Sequence, residues 1–210
     1  MPGTTYIAGK PTTWRETARR PYFLLTDLIL IAILAALGLA TKQVIYPLVS
    51  LATMPFYLPT GAIAGGIYMM WLIVARGVVA KPGAALAVAL VQGFVAFLTP
   101  FGKHGIYTFI IYLAPGIMVE LVMLAGRHNA CCLGCTTMAG IMANMVGSAL
   151  VSSIILAAPV SLVLFTAAVG GIAGAIGGPI ALALLRSYWK VFPKQQPATR
   201  GAKTGTGQEW

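Results

Sequence analysis

The chain has 210 residues, 59% of them hydrophobic and only 9% charged, with a mean hydropathy of +0.87. That balance excludes a water-soluble domain and predicts an all-α integral membrane protein with one membrane domain. The net charge of +10 raises nucleic acid as a partner, but the basic residues flank apolar runs and form no basic domain, which excludes it.

Residues 1–20 read as a polar cytoplasmic tail, with Trp14 suited to a membrane interface. Six apolar runs follow within a membrane domain over 21–192, and residues 193–210 have the composition of a disordered cytoplasmic tail. The first span, Leu24–Thr41, starts too late and is followed by too many others to be a cleaved signal peptide. Asp27 near its N-terminus suits a helix cap, because partial positive charge there stabilises a carboxylate. Ala32, Ala36 and Ala40 recur every four residues, a small-residue stripe that lets another helix approach closely. From Gln43 to Pro59, Pro47, Pro55 and Pro59 interrupt an aromatic-rich stretch. Prolines disfavour a simple helix, so this segment is expected to be an external lid or an interfacial stretch.

The second span, Thr60–Val79, carries Gly61 and Gly65 for close packing, and Tyr68 and Trp71 as cavity or lipid-facing aromatics. The third, Pro82–Leu98, is followed by Thr99, and Ala85, Ala89, Gln92, Ala96 and Thr99 share one helical face. The fourth, Gly105–Gly126, aligns Tyr112, Gly116 and Glu120 at intervals of four, and Pro115 frees a backbone carbonyl one turn earlier. Glu120 stands out. A carboxylate within a membrane span costs roughly 2.5–3.5 kcal/mol on insertion scales, so by default it marks a functional site. The competing account is a protonated or internally paired acid that holds helices together. Gly116 leaves room beside the carboxylate.

The fifth span, Cys132–Ala157, shows Gly140, Asn144, Ser148 and Ser152 every four residues. That polar stripe faces Glu120 or a ligand, or else another helix as hydrogen-bonding glue. The sixth, Val160–Leu185, carries Gly170, Gly174 and Gly178, with Gly171 and Gly177 beside them, a pattern for very close packing. With six spans and a cytoplasmic N-terminus, twelve of the fourteen basic residues fall inside, Arg76 and Lys81 among them, and only Lys42 and Lys103 fall outside. The positive-inside rule thus predicts a six-transmembrane-helix bundle with both termini cytoplasmic. Cys131, Cys132 and Cys135 cluster with His128, but the cramped spacing favours small buried residues at a helix start over a metal site. No Walker A, HExxH or GxSxG pattern and no pair of intramembrane acids occurs, so no enzyme and no cofactor is expected.

The number of spans and three stretches resemble the substrate-binding S components of energy-coupling factor (ECF) transporters. Arg19 to Ala40, RRPYFLLTDLILIAILAALGLA, looks like the family's first helix, with Ala32 and Ala36 as its AxxxA pattern. GIYMMWLIVARGVVAKPGAAL from Gly66, and PGIMVELVMLAG from Pro115 to Gly126, resemble the thiamine/hydroxymethylpyrimidine subfamily, with Glu120 at its acidic position. The resemblance implies a multi-pass protein of the prokaryotic plasma membrane that captures a vitamin or precursor for an ABC-type importer. A transmembrane coupling protein would contact Ala32 and Ala36, two ATPase subunits would drive uptake, and Tyr46 to Pro59 would gate the cavity. Thiamine-binding members carry further acids in the third helix where this chain has Ala89 and Ala96, so a neutral or singly charged aromatic fits as well.

On this reading Glu120 meets the substrate, Asn144, Ser148 and Gln92 assist, and Tyr68, Trp71 or Tyr112 offer stacking surface. Glu120→Gln should then weaken binding by at least roughly tenfold. A proton-coupled secondary carrier using Glu120 and a purely structural membrane subunit are the alternatives.

Overall fold

The computed structural model describes residues 6–7, 10–11, 23–53, 55, 59–99, 105–126 and 132–192. A two-residue antiparallel pairing of β1 (Tyr6–Ile7) with β2 (Lys10–Pro11) precedes the helices. The bundle comprises α1 (Leu25–Thr53), α2 (Thr60–Tyr68), α3 (Met70–Val79), α4 (Ala84–Leu98), α5 (Tyr107–Ala125), α6 (Leu133–Leu150) and α7 (Val160–Val191). A π-helical turn, Val151–Ile155, extends α6. Among the described residues five helical stretches are long and apolar enough to cross a membrane, with α2 and α3 counting together as Thr60–Val79. The remaining apolar helix, α4, has 15 residues and spans only about 22 Å.

The distribution of side chains is that of a protein dissolved in lipid. Leu28, Leu51, Phe94, Leu98, Ile106, Leu121, Leu164 and Ile172 point outward, whereas much of the interior is alanine, glycine and a few polar groups. Without a hydrophobic driving force between helices, small residues are what bring backbones together. The α6–α7 contact shows this: a Cβ at Gly140 would run into the Gly174 carbonyl, and one at Gly174 into that of Gly140. Gly177 likewise lies against the backbone of Gly66, which seats α7 on α2. The α2–α3 pair is the most enclosed span and packs against α1, α4, α6 and α7.

Three boundaries differ from the sequence expectation. The first helix does not stop at Thr41: it continues through Pro47 to Thr53, so most of the expected lid is helix. Pro47 removes the helical donor to the Gln43 carbonyl, but both residues are exposed and lie toward the far end of a helix some 44 Å long. The second span is broken at Met69, whose N–H reaches the Gly65 carbonyl at 2.9 Å while its own carbonyl accepts from Leu72 N–H at 3.1 Å, a local tightening. The third helix begins at Ala84, after a turn closed by Ala80 and Gly83 at φ of 54° and 87°. Glycine supplies the second of these left-handed conformations without a Cβ penalty.

Candidate functional site

Two separate polar centres occupy the bundle. The first gathers the start of α1, the end of α3, the first turn of α4 and the later part of α5. Glu120 Oε1 accepts the Ala85 N–H at 2.8 Å, and Glu120 Oε2 lies 3.1 Å from Arg76 Nε, with the two side chains 8% and 2% exposed. The carboxylate thus sits at a helix N-terminus beside a guanidinium, two stabilising partners for a buried negative charge. The pair is close without hydrogen-bond alignment, and Arg76 Nη1 has no acceptor among the described residues. Beside this pair, Asp27 accepts the Leu24 N–H at 2.9 Å, the cap expected of it, and also takes an ion pair from Lys81 that ties α1 to the α3–α4 turn.

This geometry corrects the picture of a lone acid. Arg76 lies in the last turn of α3, within the expected second span, and is buried. The space beside Gly116 belongs to α4, since a Cβ there would meet Ala89. Glu120 does not line the cavity described below.

The polar stripe of α6 turns away from Glu120 as well. Asn144 donates to the carbonyls of Ala62 at 2.8 Å and Gly170 at 2.7 Å, bridging α2, α6 and α7. Ser148 faces Gly170, and Ser152 shares a hydrogen bond of 2.7 Å with Thr166 on α7. Asn144 and Ser152 thus join helices, and neither Asn144 nor Ser148 lines the cavity described below.

The second centre is a cavity lined by Gly38, Lys42, Tyr68, Met69, Leu72, Gln92, Ile111, Tyr112 and Pro115. It measures about 30 Å³ within a cleft of about 390 Å³ counting its open side, room for one or two waters as the side chains now stand. Gln92, Tyr68 and Tyr112, three residues singled out from the sequence, meet here. Trp71 stands behind them, its Nε1 donating to Thr41 Oγ1 at 2.9 Å. Pro115 cannot donate to the Ile111 carbonyl, and both residues line the cavity.

Lys42 dominates this site; it lies on α1, beyond the Thr41 end expected for the first span. Its Nζ donates to the Tyr112 hydroxyl at 2.8 Å and lies 4.6 and 5.5 Å from the ring centres of Tyr112 and Tyr68. Both rings are within cation–π range. Among the described residues the ion pairs are Arg76–Glu120 and Lys81–Asp27, and Lys42 has no carboxylate partner. Tyr112 and Glu120 are eight residues apart on α5, about 12 Å along its axis, so the two centres do not share a small ligand. Two signals for this arrangement were present: Lys42 is a basic residue that the positive-inside pattern leaves unexplained, and Arg76 is a lone charge in an apolar run.

The remaining expectations fall elsewhere. Ala32 and Ala36 are exposed on α1 with no helix of the described residues over them. Cys132 is a free thiol, no group of three or more potential metal ligands occurs among the described residues, and Cys131 and His128 lie outside them.

Comparison with known proteins places this geometry in a family. The family model for the ABC-type cobalt transport system permease component matches residues 26–146. A crystal structure of an S component of an ECF transporter is similar with a TM-score of 0.67 and 20% sequence identity, covering 81% of this chain and 87% of that one. At that identity the likeness speaks for the fold. No curated protein matches. The chain therefore has the S-component fold of ECF transporters and belongs to the family of ABC-type cobalt transport system permease components.

Proposed function

We propose that this chain is the substrate-binding subunit of an ECF-type importer, and that it captures a vitamin or vitamin precursor built on a small aromatic ring. The observation that carries this reading is the cavity between α1, α2, α3, α4 and α5, where Tyr68 and Tyr112 offer ring faces and Lys42 and Gln92 offer donors. Few polar groups converging in an enclosed apolar setting suit an organic ligand. Of the compounds in the thiamine and hydroxymethylpyrimidine class, the neutral pyrimidine suits the site better than the thiamine cation, which would meet the Lys42 ammonium. Admission of a ring requires the side chains around the cavity to move, and the long Lys42 stem is the most adaptable of them.

The family's description names cobalt. A first-row divalent cation is held by imidazole, carboxylate or thiolate groups, and the cavity lining has none of these. An organic cargo is the better fit. The Arg76–Glu120 pair also counts against a proton carrier, because the carboxylate is already engaged by a guanidinium and a helix N-terminus.

In this reading six helices cross the membrane with both ends in the cytoplasm, as the basic residues favour. The coupling protein and two ATPase subunits are partners in the same prokaryotic membrane. The test is to purify the chain, identify any co-purifying small molecule by mass spectrometry, and titrate hydroxymethylpyrimidine, thiamine and Co²⁺ by calorimetry. Saturable binding of the pyrimidine is expected. Binding of Co²⁺ with no organic ligand would overturn the proposal.

A further inference from the structure

We infer that Lys42 is the charge-selecting residue of the cavity, and that the preferred ligand presents an anionic carboxylate to it from a small aromatic ring. This rests on the small-aromatic reading above and specifies the class of ligand within it. Lys42 is half-buried on α1, and its ammonium stands between two phenol rings in a poorly solvated cleft. Tyr112 takes one of its three N–H donors, which leaves two for a ligand.

A charge in such a site calls for a counter-charge, because low local dielectric strengthens every pair formed there. The described part of the chain supplies none. Its two described carboxylates are committed at the opposite centre, Glu120 to Arg76 and the Ala85 N–H, Asp27 to Lys81 and the Leu24 N–H. The other cavity-lining groups are neutral: Tyr68, Tyr112 and Gln92, whose Nε2 reaches the Ala35 carbonyl at 3.4 Å. Among the described residues nothing complements the ammonium, and an anionic ligand would. The Tyr68 and Tyr112 rings that flank it would lie beside a planar aromatic body. A cationic ligand would have to expel Lys42 from this cage before using it.

The experiment is a charge series on one ring: 4-amino-2-methylpyrimidine bearing 5-carboxylate, 5-hydroxymethyl or, as thiamine, the thiazolium-methyl group. Each is titrated by calorimetry against the intact chain in detergent and against Lys42→Met and Lys42→Arg. The carboxylate is expected to bind at least roughly tenfold more tightly than the alcohol, and thiamine most weakly. Lys42→Met should abolish that order, and Lys42→Arg should retain it. If Lys42→Met fails to fold, Lys42→Arg together with the intact chain's order decides, since the order itself must favour the carboxylate. Thiamine binding as tightly as the carboxylate, or an order untouched by Lys42→Met, overturns the role of Lys42 and leaves the aromatic reading standing. Failure of all three compounds to bind overturns both.

Discussion

Arg76 Nε and Glu120 Oε2 face each other at 3.1 Å, the buried contact through which the end of α3 holds α5. Removing one member of a buried pair strands the other charge, at a cost of about 3–5 kcal/mol, whereas replacing both with apolar groups is often neutral. Glu120→Gln should therefore lower the unfolding temperature in detergent by several degrees, and Arg76→Met should do the same. The double variant Arg76→Met with Glu120→Leu should recover most of the loss. Thermal unfolding followed by circular dichroism reads this, and a double variant as unstable as the sum of the two singles would show that they are not coupled.

The same pair explains what the sequence made legible and what it hid. The stretches from Gly66 to Leu86 and from Pro115 to Gly126, which carried the family resemblance, are those joined by Arg76, Ala85 and Glu120. They specify how the helices meet, and the glycines of α7 do so too, which is why the bundle could be read from apolar runs and small-residue spacing. The cavity was harder to see because it draws one to three residues from each of five helices, with no local spacing to connect Lys42, Tyr68, Gln92 and Tyr112. The prolines misled for a related reason. Pro47 does not end α1, because a membrane helix tolerates proline where neighbouring groups or water can donate to the freed carbonyl.

Asn144 offers a contrast with Glu120, for its two donors both go to backbone carbonyls, of Ala62 and Gly170. Interhelical hydrogen bonds in membranes average about 0.6 kcal/mol each. Asn144→Ala should therefore cost about 1–2 kcal/mol of stability and leave the order of ligand preference unchanged. A change in that order by calorimetry, with the fold retained, would return Asn144 to the substrate site.

Gly140 and Gly174 test the close approach of α6 and α7. A methyl group on either meets backbone on the facing helix, which cannot yield as a flexible side chain would. Gly174→Leu should thus sharply reduce the yield of monodisperse protein on size-exclusion chromatography. Gly134→Ala is the control, since its added Cβ meets nothing within 4 Å. Equal behaviour of the two variants would show that the α6–α7 contact does not limit folding.

Ala32 and Ala36 carry the remaining prediction, which follows from the proposed importer. They lie on the outer face of α1, while Ile31, Leu34 and Ala35 turn inward to the core. Ile33 and Leu37, also exposed, are large and suited to lipid, so the two alanines form a shallow strip where a partner helix can approach closely. Ala36→Trp would fill that strip without touching the cavity on the opposite side of the helix. Substrate binding by the isolated chain should stay within about twofold, while co-purification of the coupling protein and ATP-driven uptake should both be lost. Ile33→Trp, with a large side chain already in place, should preserve uptake. If Ala36→Trp keeps uptake intact, the coupling protein docks on another face of the bundle.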